Sequence, residues 1–331
     1  MTKRQRVAAA LAGEAVDRVP VSFWWHDFVR EWSAEGLAAA MLESVERYDF
    51  DYLKVNPRAT YYAEAWGCAY RASGDPARQP ATESWVLHEA SDLASVRAID
   101  GTAGPFAEQL EALRLIGEGL RGEVPFVQTV FSPLSVLGRM ADGREPVQRW
   151  MTEAPDALHS ALDAVTETLA AYSSACIAAG ADGIFFATTE WATSEALTPA
   201  LYETFGRSYD LRVLDAVQGA STNILHVCRP NNMLSDLLNY PVAAVNWAVH
   251  APGNASFASI LPQTPMALMG GVDERHALLS SSPDDVRGQV RAALAATGGR
   301  RFLLGGGCSI SPQTPPANIE AAVAAVREAP P

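Results

Sequence analysis

The sequence predicts an α/β protein folded as a single closed (β/α)8 barrel, the TIM architecture, over residues 1–331, with an excursion between its second and third strands. Three observations point there. Eight short β-rich apolar runs recur along the chain, and most are separated by stretches long enough for a helix, the pattern of parallel strands joined by crossover helices. Several of those stretches carry explicit helix start and stop signals. No Gly-x-Gly-x-x-Gly turn opens a helix, which weakens the alternative of an open doubly wound sheet that binds a dinucleotide. With 331 residues, 48% of them hydrophobic, the chain can bury a large core, and barrels of this length commonly form one domain.

In chain order, residues 2–12 read as a short helix closed by Gly13. The first strand candidate is Val19-Pro20-Val21-Ser22-Phe23-Trp24-Trp25, with proline near its start, where a missing N–H is tolerated. His26 and Asp27 follow at its exit. Leu37, Met41, Leu42 and Val45 share one helical face within residues 34–48. Phe50 to Asn56 form the second strand, stopped by Pro57. The stretch from Arg58 to about Gly122 is too long for one connection. Its aromatics Tyr61, Tyr62 and Trp66 and its Ser73-Gly74-Asp75-Pro76 turn suggest a hairpin-like excursion before a helix near 105–120. Pro125 to Phe131 is the third strand, residues 146–180 are helical, and Gly183 to Ala187 is the fourth strand. Thr198 then caps a helix with Pro199 in its first position, expected to run to about Val217. The fifth, sixth and seventh strands are Asn223 to Cys228, Ala243 to Trp247 and Met266 to Gly270. Ser282 caps a helix that opens Pro283-Asp284-Asp285 and stops near Gly298. Arg301 to Leu304 is the eighth strand, and a last helix starts near Pro315-Pro316.

Net charge is −13 and no basic run is present, so nucleic acid and anionic membrane surfaces are poor partners. No stretch approaches the ~18 consecutive apolar residues of a membrane span. The four cysteines, Cys68, Cys176, Cys228 and Cys308, are too few and too scattered for a disulfide framework. A cytoplasmic protein is expected.

The chemistry concentrates in two places. The fifth strand ends in His226-Val227-Cys228, and alternation puts His226 and Cys228 on one face. The eighth strand breaks into Gly305-Gly306-Gly307 and delivers Cys308. In a barrel all three fall at C-terminal strand ends, where active sites of this architecture sit. One imidazole and two thiolates suit a soft, tetrahedral ion such as zinc, and three protein ligands with an open fourth position mark a catalytic rather than a structural site. The plain alternative is a hydrogen-bonded core histidine beside two small buried thiols.

From these residues the chain resembles the uroporphyrinogen decarboxylase superfamily, and within it the zinc-dependent corrinoid methyltransferases of the methylcobamide:coenzyme M type. The resemblance is carried by Arg4-Gln5-Arg6-Val7, Asp17-Arg18-Val19-Pro20, Gly180-Ala181-Asp182-Gly183-Ile184, Leu225-His226-Val227-Cys228, Gly270-Gly271-Val272-Asp273, and Cys308 with Thr314-Pro315 and Asn318. It implies Zn2+ held by His226, Cys228 and Cys308, a methylcobamide (corrinoid) carried by a partner protein, and a small-molecule methyl acceptor or donor such as a thiol. The decarboxylase branch resembles a pattern with an arginine-rich loop after the first strand. Here that place holds Ser22-Phe23-Trp24-Trp25-His26-Asp27, which offers a polycarboxylate tetrapyrrole no partner charges. A metal-independent decarboxylase or lyase is therefore the alternative.

A zinc with two thiolates and one imidazole is close to neutral, so it suits thiol binding and deprotonation better than carbonyl polarisation. The expected catalytic set is His226, Cys228, Cys308 and Glu190, the last as proton acceptor or fourth ligand. Trp24, Trp25, His26, Asn246, Trp247 and Asp273 are expected around the substrate, with Trp191 adding to an apolar wall and Asp27 a further contact. His250 is a second candidate for the fourth ligand. Cys68 and Cys176 are expected to be structural.

Overall fold

The computed structural model describes residues 1–329. Nine strands run in chain order: β1 (Leu53–Val55), β2 (Ala69–Arg71), β3 (Ala81–Ser84), β4 (Phe126–Phe131), β5 (Gly183–Ala187), β6 (Ile224–Val227), β7 (Ala244–Trp247), β8 (Ala267–Val272) and β9 (Phe302–Gly306). Seven form one parallel sheet in the order β1-β4-β5-β6-β7-β8-β9, curled into a half-barrel. β2 and β3 make a separate antiparallel pair in the long connection between β1 and β4.

The expected first strand shrinks to a single parallel bridge between Val21 and Leu304. Its backbone still spans the gap between the ends of the sheet. Leu304 N–H donates to Pro20 O (2.8 Å), Ser22 N–H donates to Leu304 O (3.1 Å), and Asp51 N–H donates to Val21 O (2.9 Å). Pro20 lacks an N–H, which limits the ladder at this point.

That segment is fixed by charge as well as by backbone. Asp51 is fully buried and receives Arg6 Nη1 at 2.7 Å, Arg18 Nη2 at 2.9 Å and the Val21 N–H at 3.0 Å. Arg6 also grips Asp17 through Nε and Nη2. The Arg6, Asp17 and Arg18 positions of the opening motifs thus tie the N-terminal helix (Lys3–Ala12) and the Val21 bridge to the start of β1.

Side chains from alternate strand positions fill the interior: Tyr52, Val127, Phe185, Ile224, Ala244, Ala267, Met269 and Leu303, with Trp24 above them. Helices cover the outside, among them Ala34–Tyr48, Pro105–Leu120, Pro155–Ala178, Pro283–Thr297 and Pro316–Glu328. The Ser282 cap forms a full capping box with Asp285, as its sequence suggests. The helix after Thr198 departs from expectation. It runs Pro199–Tyr202, loosens into a π-turn over Glu203–Arg207, and resumes at Ser208–Asp215. A further helix, Pro133–Met140, follows β4 where none was expected, capped by Ser132 with proline in its first turn.

On the buried face of the resumed helix, Asp210 is fully buried and accepts hydrogen bonds from Tyr202 Oη (2.7 Å) and Tyr240 Oη (2.8 Å). Burial raises its pKa to about 7. A carboxyl raised in the folded state stabilises fully below its unfolded pKa near 3.8 and loses that contribution as pH rises towards 7. Relative to Asp210→Asn, wild-type stability should therefore fall by up to about 4 kcal/mol between pH 4 and pH 7. Urea titrations of both proteins across that range check it, and a pH-independent difference would refute it.

Among the described residues no helix is long and apolar enough to cross a membrane.

Candidate metal centre

The C-terminal ends of the parallel strands open into a cavity of about 770 Å³. Its lining includes residues at or just past the ends of β1, β4, β5, β6, β8 and β9, and Tyr70, Pro80, Thr82 and Trp85 from and around the β2–β3 pair. His226, Cys228 and Cys308 meet there, with one potential ligand atom from each lying within 4.8 Å of the others.

Local structure explains the convergence. His226 projects inward from β6, and Cys228 follows on the same face just past its end. Cys308 reaches them because the glycine after β9 lets two backbones touch: a Cβ on Gly307 would lie 2.2 Å from Ala248 Cα, just beyond β7. Only glycine permits that approach.

The two sulfurs are 3.9 Å apart. A tetrahedral zinc with bonds of about 2.3 Å to sulfur would hold them about 3.8 Å apart, so the pair fits such an ion. The histidine is also set for it. Asn246 donates through Nδ2 to Met269 O and Gly306 O, both at 3.1 Å, which turns its Oδ1 to His226 Nδ1 at 2.7 Å. An amide oxygen only accepts, so His226 carries its proton on Nδ1 and keeps the Nε2 lone pair for a metal. Phe185 stacks on the imidazole at 5.1 Å. The hydrogen bond from Cys228 draws Cys308 well below the ordinary thiol range, and the same shared contact holds Cys228 above it.

Asn246 is itself fully buried and is not among the cavity-lining residues, and it reaches the site only through the His226 imidazole. Asn246→Ala should lower zinc affinity roughly 10–100-fold, the usual cost of losing a ligand's hydrogen-bond partner. Competition with a chromogenic chelator would measure this, and an unchanged affinity would sink the tautomer argument.

The other expected site residues divide. Trp24, His26 and Glu190 line the cavity. His26 is engaged by Glu31 at 2.8 Å, and Glu190 lies 3.5 Å from Arg229. Trp25, Trp247 and Asp273 are outside the lining. Strand alternation accounts for the tryptophans: with Trp24 and Asn246 turned inward, their neighbours turn outward. Trp25 packs edge-on against Tyr48, and Trp247 against Phe257, its indole donating to Ala255 O. Asp273 caps the turn after β8 by accepting from the Arg275 and His276 N–H groups. Trp191 is fully buried against Gly138. Asp27 caps the turn at Val29 and Arg30. His250 is hydrogen-bonded through Nε2 to Gly271 O at 3.1 Å and stands apart from the three ligands. Cys68 and Cys176 are buried elsewhere.

Among the lining residues that went unnoticed in the sequence are Lys54, Asn56 and Glu274. Burial lowers the Lys54 pKa to about 7, and burial raises that of Glu274. The signal for Lys54 and Asn56 was available, since they share a face with the inward Tyr52. Glu274 stands one position past the acid that sequence reasoning chose.

Comparison with known proteins bears on the whole chain. Methylcobamide:CoM methyltransferase MtaA of Methanosarcina barkeri is 26% identical over 338 residues, covering 98% of this chain and 97% of the relative. A uroporphyrinogen decarboxylase of Prochlorococcus marinus is 25% identical over 243 residues, covering 70% of this chain and 66% of the relative. The solved structure of a methyltransferase from Methanosarcina mazei superposes with a TM-score of 0.86 at 26% identity, covering 99% of both chains. The family described as Uroporphyrinogen decarboxylase (URO-D) matches residues 2–329. A match of that extent, over the same half-barrel and ending in the same relatives, makes this chain a member of the uroporphyrinogen decarboxylase family.

Proposed function

We propose that this protein is a zinc-dependent methyltransferase that moves a methyl group between a corrinoid carried by a partner protein and a thiol. The observation that carries the reading is the cluster of His226, Cys228 and Cys308 at the cavity floor, with a sulfur spacing suited to a tetrahedral ion. Relatives named for methylcobamide and coenzyme M, similar over nearly the full length, support the reaction class.

When bound, zinc supplies a site for an incoming thiol sulfur and lets it lose its proton while it stays nucleophilic. The chain's own groups do the rest. Cys228, Cys308 and the Nε2 of His226 hold the ion, and Asn246 fixes the imidazole. Trp24 and Phe185 keep the cavity floor apolar. Glu190, at the wall beside Arg229, is our candidate for receiving the thiol proton. The sulfur lone pair then takes the methyl group as the cobalt–carbon bond breaks, its electron pair staying with cobalt.

The reading extends to the fold and setting. We take residues 1–331 as one domain, with the Val21 segment closing the half-barrel into an eight-membered ring and the β2–β3 excursion forming a cavity wall, and we take the enzyme to be cytoplasmic. Metal-independent decarboxylation has less support: of the four lysines and arginines lining the cavity, Arg229 and Arg275 each stand beside a carboxylate, Glu190 at 3.5 Å and Glu274 at 3.8 Å.

The test is metal analysis of protein purified without chelator, followed by incubation with methylcobalamin and 2-mercaptoethanol. The reading expects about one zinc per chain and loss of the methyl–cobalt absorbance with formation of the thioether. Absence of stoichiometric zinc, or zinc without methyl transfer, would overturn it.

A further inference from the structure

The chain contains 25 basic residues, and only Lys3 and Lys54 are lysines. Lys3 pairs with Asp49 near the surface. Lys54 is buried to 4% exposure in the cavity floor, at an inward position of β1. Its ammonium has one hydrogen bond, to Asn56 Oδ1, and no ion pair among the described residues. It stands over the Phe185 ring at 5.0 Å and the Trp24 ring at 5.7 Å. Phe185 is the ring that stacks on His226, and Asn56 Oδ1 also accepts from the hydroxyl of Ser309, the residue after Cys308, at 3.3 Å. One short polar path and one shared aromatic ring therefore connect this cation to two of the three ligands.

A buried, unpaired ammonium is costly unless something offsets it. Arginine, used at nearly every other basic position, would present a planar fork, whereas lysine presents a compact point charge with donors to spare. An anion at the metal is what the site is missing. Zinc with two thiolates and a neutral imidazole is neutral, and a third thiolate makes the assembly anionic in an apolar floor of a protein that is already −13 overall.

We propose that Lys54 is the counter-charge of the transfer site, its ammonium balancing the substrate's thiolate sulfur beside Cys228 and Cys308. This rests on the thiol-methyltransferase reading above. An opposite charge close by favours the ionised form of a group by one to three pKa units, so Lys54 should strengthen thiolate binding about tenfold or more at neutral pH. Each thiol that binds gives up one proton, which Glu190 receives and passes on to solvent.

Zinc-loaded wild type and Lys54→Met are compared by calorimetric titration with two probes, uncharged 2-mercaptoethanol and anionic 3-mercaptopropionate, in buffers of different ionisation enthalpy. The expected result is an unchanged zinc content, about tenfold or greater weakening for both thiols, and a shift of the pH at which the proton is released to higher values. Should Lys54→Met fail to fold, Lys54→Gln keeps a donor towards Asn56 and serves the same comparison. Equal affinities and proton release in wild type and variant would overturn the proposal. So would weakening confined to the anionic thiol, since Lys54 would then be contacting an acidic tail rather than the sulfur. If wild type itself takes up no zinc or binds neither thiol, the methyltransferase reading fails instead, and the two failures are told apart.

Discussion

Cys308→Ala should abolish stoichiometric zinc binding while leaving the fold intact, the largest functional loss expected from any single change. Removing a hydrogen-bond partner of a ligand already costs 10–100-fold in metal affinity, and removing the ligand itself should exceed about a hundredfold. The residue sits past the end of β9, one position beyond the glycine that touches Ala248, so its side chain supports no strand pairing. Elemental analysis after dialysis should therefore read well below one zinc per chain, and methyl transfer to thiol should fall with it. Normal zinc content in this variant would remove Cys308 from the ligand set.

Asp51→Ala should give the largest loss of stability. Asp51 is fully buried and is shared by two guanidinium groups and the Val21 N–H. Deleting one side of a buried ion pair leaves uncompensated charge and typically costs about 3–5 kcal/mol. Here the stranded groups lie in the segment that bridges β1 and β9, so the loss should appear as a lower denaturation midpoint, read by circular dichroism in urea. A loss below about 1 kcal/mol would mean that Arg6 and Arg18 find other partners.

Much of this was legible in the residues, for reasons that differ from place to place. The alternation of apolar runs with capped helices located every strand of the half-barrel to within a few positions, because a parallel strand buried on both faces reads as an uninterrupted apolar run. The convergence of His226, Cys228 and Cys308 was legible from residue type and placement, since all three fall at the C-terminal ends of strands of one sheet. The errors came from facing. Trp247 follows Asn246, and one step along a strand changes the barrel interior for the outer layer. Lys54 was hidden by the opposite habit, because a lysine in an apolar strand looks like a solvated edge residue unless its face is counted from Tyr52 and Asn56. Asp273 looked functional by position but serves its own turn. The π-turn at Glu203–Arg207 does carry a local mark, Gly206, where a Cβ would meet the Tyr202 ring at 2.9 Å, and it accompanies the buried Tyr202, Asp210 and Tyr240 cluster.

Asn246 has one more consequence. Its amide is bonded at once to His226 of β6, to a carbonyl of β8 and to a carbonyl of β9. Whatever holds the imidazole in place also holds three strands in register at the rim. On the proposed zinc reading, metal occupancy and the local opening of the rim would be parts of one equilibrium: an ion that binds only the closed arrangement would stabilise β8 and β9 by mass action. Hydrogen exchange of the backbone amides there would then report whether the centre is loaded, far from any catalytic assay.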